Sequence, residues 1–140
     1  MTKLFYVPGS THAIDYAREI AGQYVSVYGG RTLAELAEEY PGVVLGDEDS
    51  FIEQQERALS TDPKEITETQ FMDALEMLPP LHWMNHGAGE SFKCPEFIAG
   101  NITTIYARLN GRYWSFQGVA TLPHVAIMER IARAEAGTAP

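Results

Sequence analysis

Asn110-Gly111, set between two runs of alternating residues, constrains the fold of this chain more than any other feature. Both residues of a two-residue type I′ turn need positive φ, which Asn and Gly adopt at little cost, so the pair predicts a tight β-hairpin. The register follows from the turn: Leu109 faces Arg112, Ala107 faces Trp114 and Ile105 faces Phe116. One side of the hairpin is then apolar, with Ile105, Ala107, Trp114 and Phe116, and requires burial. The other carries Thr104, Tyr106, Arg108, Tyr113, Ser115 and Gln117. Tyr106, Arg108 and Tyr113 suit stacking on bases or on a protein partner, although a wet sheet face with a cross-strand Arg–Tyr pair needs neither. Residues 91–94 are a candidate third strand. A closing helix, capped near Thr121 with Pro123 in its first turn, is expected to reach about Ala134 and to pack Ile127, Met128 and Ile131.

The first half reads as alternating short strands and helices. Residues 4–7 are an apolar strand closed by Pro8-Gly9-Ser10. A helix is expected over about 12–21, with Ile14, Ala17, Ile20 and Ala21 on one side and Gly22 as its C-terminal cap. Residues 24–28, β-branched and aromatic, predict a strand turned by Gly29-Gly30. Thr32 with Glu35 has the spacing of a capping box, at the head of a helix that carries Leu33, Leu36 and Ala37 and stops near Pro41. A third short strand follows at 43–45. Ser50 with Glu53, and Thr67 with Gln70, are two further boxes; Ile66 and Phe71 hold the staple positions of the second. The first opens a helix that ends before Asp62-Pro63. The second opens one with an apolar stripe of Phe71, Leu75 and Leu78, broken by Pro79-Pro80.

The expected fold is one α/β or α+β domain over residues 1–136, with 137–140 as a frayed tail. It has an N-terminal β-α-β-α-β unit, an acidic helical middle and a C-terminal hairpin plus helix. An apolar content of 45% over 140 residues is ordinary for one such domain with a real core.

The charge is unevenly placed. Between Glu35 and Glu76 there are 13 acidic residues against Arg57 and Lys64, while the flanking segments each come to +1 and the whole chain to −9. Such a block repels nucleic acid and membrane surfaces and attracts a basic partner surface, mainly by raising the association rate. The regular apolar positions within it exclude a disordered tail. Glu35, Glu38, Glu39, Asp47, Glu48, Asp49, Glu53, Glu56, Asp73 and Glu76 are the candidate partner-binding residues. Helix starts and solvated helix faces alone also produce such a block. No apolar run approaches a membrane span, and the start of the chain lacks the pattern of a signal peptide. The single cysteine, Cys94, fits a reducing cytoplasm.

Chemistry-bearing motifs are sparse. His82, His86, Cys94 and His124 are the soft metal ligands, but prolines before and glycines after His82 and His86 argue for a loop, and no metal or cofactor is expected. Cys94 beside Pro95 reads as a small buried hydrophobe more readily than as a nucleophile. No Ser-His-Asp set is recognisable from spacing, so no catalytic residue is assigned. The rival reading is a small-ligand or nucleotide site at Gly9, Ser10, Thr11 and His12, if that loop leads from a strand into a helix N-terminus.

Several segments carry a resemblance: Thr61-Asp62-Pro63, Ala74-Leu75-Glu76-Met77-Leu78-Pro79-Pro80, Glu90-Ser91-Phe92, Ile98-Ala99-Gly100-Asn101-Ile102-Thr103 and Arg112-Tyr113-Trp114-Ser115-Phe116. Together with the N-terminal strand, 32–36 and 41–47, they resemble a family of small proteins with a domain of unknown function. Its members are carried on conjugative plasmids, integrative elements and prophages of proteobacteria. The resemblance implies a genetic setting and no catalytic residues. Such elements commonly encode small acidic inhibitors of host defence, including anti-CRISPR and anti-restriction proteins. The function expected is therefore non-catalytic binding of a protein with a basic surface, an inhibitor of a nucleic-acid-targeting defence complex, without direct contact to nucleic acid or membrane.

Overall fold

Asn110 and Gly111 both take positive φ, 53° and 75°, and the strands on either side, Ile102–Leu109 and Arg112–Val119, pair in the predicted register. Ile105, Ala107, Trp114 and Phe116 are 3% exposed or less, so the side that required burial is buried.

The computed structural model describes residues 1–77, 82–86 and 89–138, with 82–86 and 138 described by backbone alone. Among these residues are nine strands and four helices in the order β1 (Lys3–Tyr6), β2 (Asp15–Ile20), β3 (Gln23–Ser26), α1 (Leu33–Glu39), β4 (Val44–Asp47), α2 (Glu48–Leu59), β5 (Lys64–Ile66), α3 (Glu68–Met77), β6 (His82–His86), β7 (Gly89–Lys93), β8 (Ile102–Leu109), β9 (Arg112–Val119) and α4 (His124–Thr138). They form two sheets, ordered β3-β2-β1-β4 and β5-β9-β8-β7-β6, in which every pairing is antiparallel. The chain is thus α+β.

Alternation along the strands assigns the layers. Leu4 packs with Phe51 of α2 and with Ile98, whereas its neighbour Phe5 packs with Leu36 of α1 and Val43. Helices α1 and α2 therefore cover opposite faces of the first sheet. In the second sheet, Ile105, Trp114 and Phe116 meet Ile127 and Ile131 of α4 together with Ile52 and Leu59 of α2. Phe71 of α3 lies on the other face, 5.0 Å from the Tyr113 ring and 5.1 Å from Phe92. Helix α2 is a shared layer with a sheet on either side.

The expected N-terminal β-α-β-α-β unit is corrected in one element. Residues 15–20 are strand β2, not helix, and the unit is β-β-β-α-β. Ala21 and Gly22 have φ of 52° and 79°, the same pattern as Asn110-Gly111, and Ile20 pairs with Gln23 across them. What resembled a helix cap is a second type I′ hairpin turn. Apolar residues three apart, at 14, 17 and 20, fit a helix stripe, but pairing with β1 and β3 satisfies the backbone of this segment and decides its conformation.

Two of the three capping boxes form. Thr32 Oγ1 accepts from Glu35 N at 3.3 Å and Glu35 Oε1 from Thr32 N at 3.1 Å; Thr67 and Gln70 exchange the equivalent bonds at 3.1 and 2.8 Å. Ser50 and Glu53 do not, because α2 starts at Glu48 and places Ser50 inside its first turn. Asp47 is the N-cap, yet its carboxylate bonds Lys3 Nζ at 2.8 Å. Thr121 does not cap α4 either; its hydroxyl donates to Ala99 O. The third strand expected at 91–94 is β7, and the loop expected around His82 and His86 includes strand β6. Helix α4 continues past Ala134 to Thr138. Leu78 of the α3 stripe, Pro79-Pro80, Gly87-Ala88 and the last two residues lie outside the described residues.

The turn before β8 touches α2 closely. A Cβ at Gly100 would stand 2.7 Å from Phe51 Cδ2 and 3.1 Å from Ile52 Cγ1, whereas at Gly137 it would meet nothing within 4 Å. Gly100→Ala is predicted to lower unfolding stability by about 1–3 kcal/mol, while Gly137→Ala leaves it unchanged or slightly raised. Urea denaturation of both variants checks this; equal stabilities would contradict the packing of α2.

Candidate functional site

The ten candidate acidic residues fall into three groups that face different ways. Glu35, Glu38 and Glu39 are exposed on α1, outside the first sheet. Asp47, Glu48, Asp49, Glu53 and Glu56 belong to the β4–α2 segment, in the central layer. Asp73 and Glu76 are exposed on α3, outside the second sheet. The fold does not bring them together on one helical face, since a sheet separates each group from the next.

Much of this charge is answered within the chain. Asp47 pairs with Lys3, Glu39 with Arg31 at 2.7 Å and Glu53 with Arg57 at 2.9 Å. Glu56 pairs with Arg130 of α4, and one of its oxygens is buried in the α2–α4 contact. Hydrogen bonds within the capping box hold the Glu35 carboxyl below its ordinary range, and Arg31 does the same for Glu39. Burial first, and the Glu48 carboxylate second, raise the pKa of the Tyr16 hydroxyl above its ordinary value.

The Gly9–His12 reading is corrected at its premise. The segment joins β1 to β2, two strands, so no helix N-terminus offers free N–H groups there. Its polar groups are engaged instead. Ser10 Oγ donates to His12 O at 3.0 Å, Thr11 Oγ1 lies 2.8 Å from His12 Nδ1, and His12 Nε2 lies 3.4 Å from Glu96. Gln55 of α2 donates to Ser10 O, and Ile102 N donates to Thr11 O. The loop fastens the first sheet to α2 and to the second sheet.

The polar hairpin side is not a wet face. Tyr106 stacks on Phe92 at 5.1 Å, and Phe71 lies under both Tyr113 and the Arg108 guanidinium, so α3 covers much of it. Arg108 is also paired with Glu90. Among the described residues no group of three His, Cys, Asp or Glu side chains is placed to hold a metal ion. His82 and His86 stand on one strand, where a four-residue step spans about 13 Å; the spacing of a helical metal pair does not apply to them.

Two buried polar contacts were missed. Ser91 Oγ lies 2.6 Å from His124 Nδ1, and Lys93 Nζ donates to Leu122 O at 2.8 Å. Ser91, Lys93 and His124 are 0%, 7% and 4% exposed. All three sit where β7 meets the start of α4. A serine closed off from solvent offers nothing to a substrate, and the pair serves to fasten α4 to the sheet. The alternation of Ser91 and Lys93 with Glu90 and Phe92 was the available signal, legible once 89–93 is known to be an inner strand. Burial pulls the Lys93 ammonium down to about 8.

Comparison with protein-family models, with curated proteins and with solved structures gives no match for this chain. Among the described residues no helix is long and apolar enough to cross a membrane.

Lys93 yields a pH prediction. Its folded pKa lies below its ordinary value, so between about 8 and the ordinary 10.5 the unfolded chain holds a proton that the folded chain has lost. Stability contributed by this group rises with pH through that window, and below it the buried charge is fully unfavourable. Lys93→Met is expected to be stabilising at pH 7, by about 1–3 kcal/mol, with the advantage shrinking toward pH 10. Melting curves of both proteins at pH 7, 8.5 and 10 test this. A difference independent of pH would show that Lys93 does not titrate in the folded chain.

Proposed function

We propose that this chain is a non-catalytic binding protein whose partner presents a basic surface, and that it acts as an inhibitor of a nucleic-acid-targeting defence complex. The observation that carries the first part is the distribution of ion pairs. Six of the ten basic residues, Lys3, Arg31, Arg57, Arg108, Arg112 and Arg130, are each bound to a carboxylate of the same chain. Among the described residues, Glu38, Asp49, Asp73 and Glu76 are exposed and have no cation within ion-pair distance. The net −9 is thus expressed outward while most of the positive charge is neutralised at short range. Such a field draws in a surface built to hold DNA or RNA and repels the nucleic acid itself. The second part rests on the resemblance to proteins of mobile elements, whose carriers gain from disarming host defence.

The layered placement sharpens the test. Because α1, α2 and α3 expose their acids in different directions, one partner of ordinary size engages one group. Three variants separate them: Glu38→Lys, the pair Asp49→Lys with Glu53→Lys, and the pair Asp73→Lys with Glu76→Lys. Glu56 is left intact, since reversing it sets a lysine against Arg130 inside the α2–α4 contact. A partner captured from host extract and purified is mixed with each variant at low and at moderate salt. One variant is expected to associate about tenfold more slowly at low salt, with a smaller difference at moderate salt. Wild-type rates for all three would leave the acidic surface as a solubility device and end this reading.

A further inference from the structure

A cavity of about 270 Å³ opens beside α1, lined by Asp15, Tyr28, Arg31, Tyr40, Phe97 and the buried Leu36. Asp15 is 6% exposed. Its Oδ1 accepts the Tyr16 N–H at 2.7 Å and its Oδ2 accepts the Tyr28 N–H at 2.6 Å. Among the described residues no Lys, Arg or His side chain pairs with it. A carboxylate oxygen can accept two hydrogen bonds, so each keeps capacity for another donor. A buried carboxylate is normally matched by a cation, and here, among the described residues, its hydrogen bonds come from backbone N–H groups.

The rings around it are left to water. Tyr28 is 80% exposed and Phe97 67% exposed, unusual values for side chains of that size. Neither is loosely held at its root. Phe97 meets the Tyr16 ring edge-on at 5.3 Å, and the Tyr28 backbone is bonded through its N–H to Asp15 and through its carbonyl to Ser26 Oγ at 2.7 Å. Arg31 does not make the cavity an anion site, because its guanidinium is turned onto Glu39 at 2.7 Å and onto the Glu35 carbonyl. Glu39 of α1, the helix that supplies Leu36, is held beside the cavity through that bond to Arg31.

We propose that this cavity receives a lysine or arginine side chain of the protein partner, its charge facing Asp15 and its flank lying on the rings of Tyr28, Tyr40 and Phe97. This deepens the reading of a basic protein partner and rests on it. Aromatic faces attract cations through their quadrupole, and a carboxylate behind them adds the ionic contact. The cavity is below the ~300–1,000 Å³ of cofactor sites, a size that suits one side chain. An inserted aromatic-clamped cation is also the kind of central anchor that dominates interface energies. The inference selects α1 among the three acidic groups as the one that meets the partner.

The test uses small probes and the intact chain. The isotope-labelled protein is titrated by NMR with n-butylammonium chloride and with n-butylguanidinium chloride at constant ionic strength, and with n-butanol as the neutral counterpart. Saturable shifts of the Tyr16 and Tyr28 amides with the cations, and none with n-butanol at the same concentration, are the expected result. The double variant Tyr28→Ala with Phe97→Ala keeps the fold, since both rings are exposed, and is expected to weaken cation binding about tenfold. Asp15→Asn abolishes it as well, but sets an amide N–H against a backbone N–H, so the aromatic variant is the folded control. Equal shifts with n-butanol, or cation shifts spread over the acidic surface and unaltered in the double variant, would overturn the proposal. Since no partner is present, failure here alongside a salt-dependent partner association would remove the cation pocket and leave the basic partner in place.

Discussion

Helix α2 is the element on which the two sheets depend. Residues four apart lie on one stripe of a helix, and α2 uses two neighbouring stripes. Phe51 and Gln55 turn toward the first sheet and its β1–β2 loop, the first by packing on Leu4 and the second by donating to Ser10 O. Ile52, Glu56 and Leu59 turn toward the second sheet and α4, with Ile52 and Leu59 in the apolar cluster and Glu56 on Arg130. The remaining face, with Asp49, Ser50, Glu53, Gln54, Arg57 and Ala58, meets solvent. A helix that serves two layers must pack two adjacent stripes of its surface, and here polar bonds supply part of those contacts. That is why Gln55 is 5% exposed and Glu56 keeps a buried oxygen.

The central position of α2 decides what the acidic block can be. A chain segment with 13 acids suggests one negative face, yet the fold threads that segment through three layers. Its charge emerges on α1, on the exposed face of α2 and on α3, while a share of it holds the chain together: Lys3–Asp47 joins the neighbouring strands β1 and β4, Arg130–Glu56 joins two helices, and Arg112–Glu65 joins β9 to β5. Half-exposed pairs such as Lys3–Asp47 and Arg112–Glu65 are each worth little in stability. Their larger effect is to neutralise cations that would otherwise interrupt a negative surface.

How much of this was legible in the residues follows from how local each signal is. Asn110-Gly111 fixes its own hairpin because both φ values are set by two residues, and the register and buried face follow. Thr32 with Glu35, and Thr67 with Gln70, close within four residues and form as expected. Ala21-Gly22 carries the same turn, but Ala, with a Cβ, disfavours positive φ, so the residues signal no turn there and the spacing of Ile14, Ala17 and Ile20 resembles a helix stripe. Ser50 and Glu53 had the spacing of a box without its position, which β4 settled by running straight into α2. The site residues split the same way. The carboxylates were readable as charge, but their separation by two sheets was not. Asp15, Ser91 and Lys93 are ordinary polar residues in sequence, and only partners 13 to 33 positions away make them buried.

Native-state hydrogen exchange measured residue by residue tests the central claim, that α2 is a shared inner layer and not a surface helix carrying a docking face. The amides of α2 are expected to exchange only through global unfolding, as slowly as those of β8 and β9, while α1 and α3, each packed on one side, open locally and exchange faster. Exchange of α2 at the rate of α1, with β8 and β9 still protected, would contradict the account.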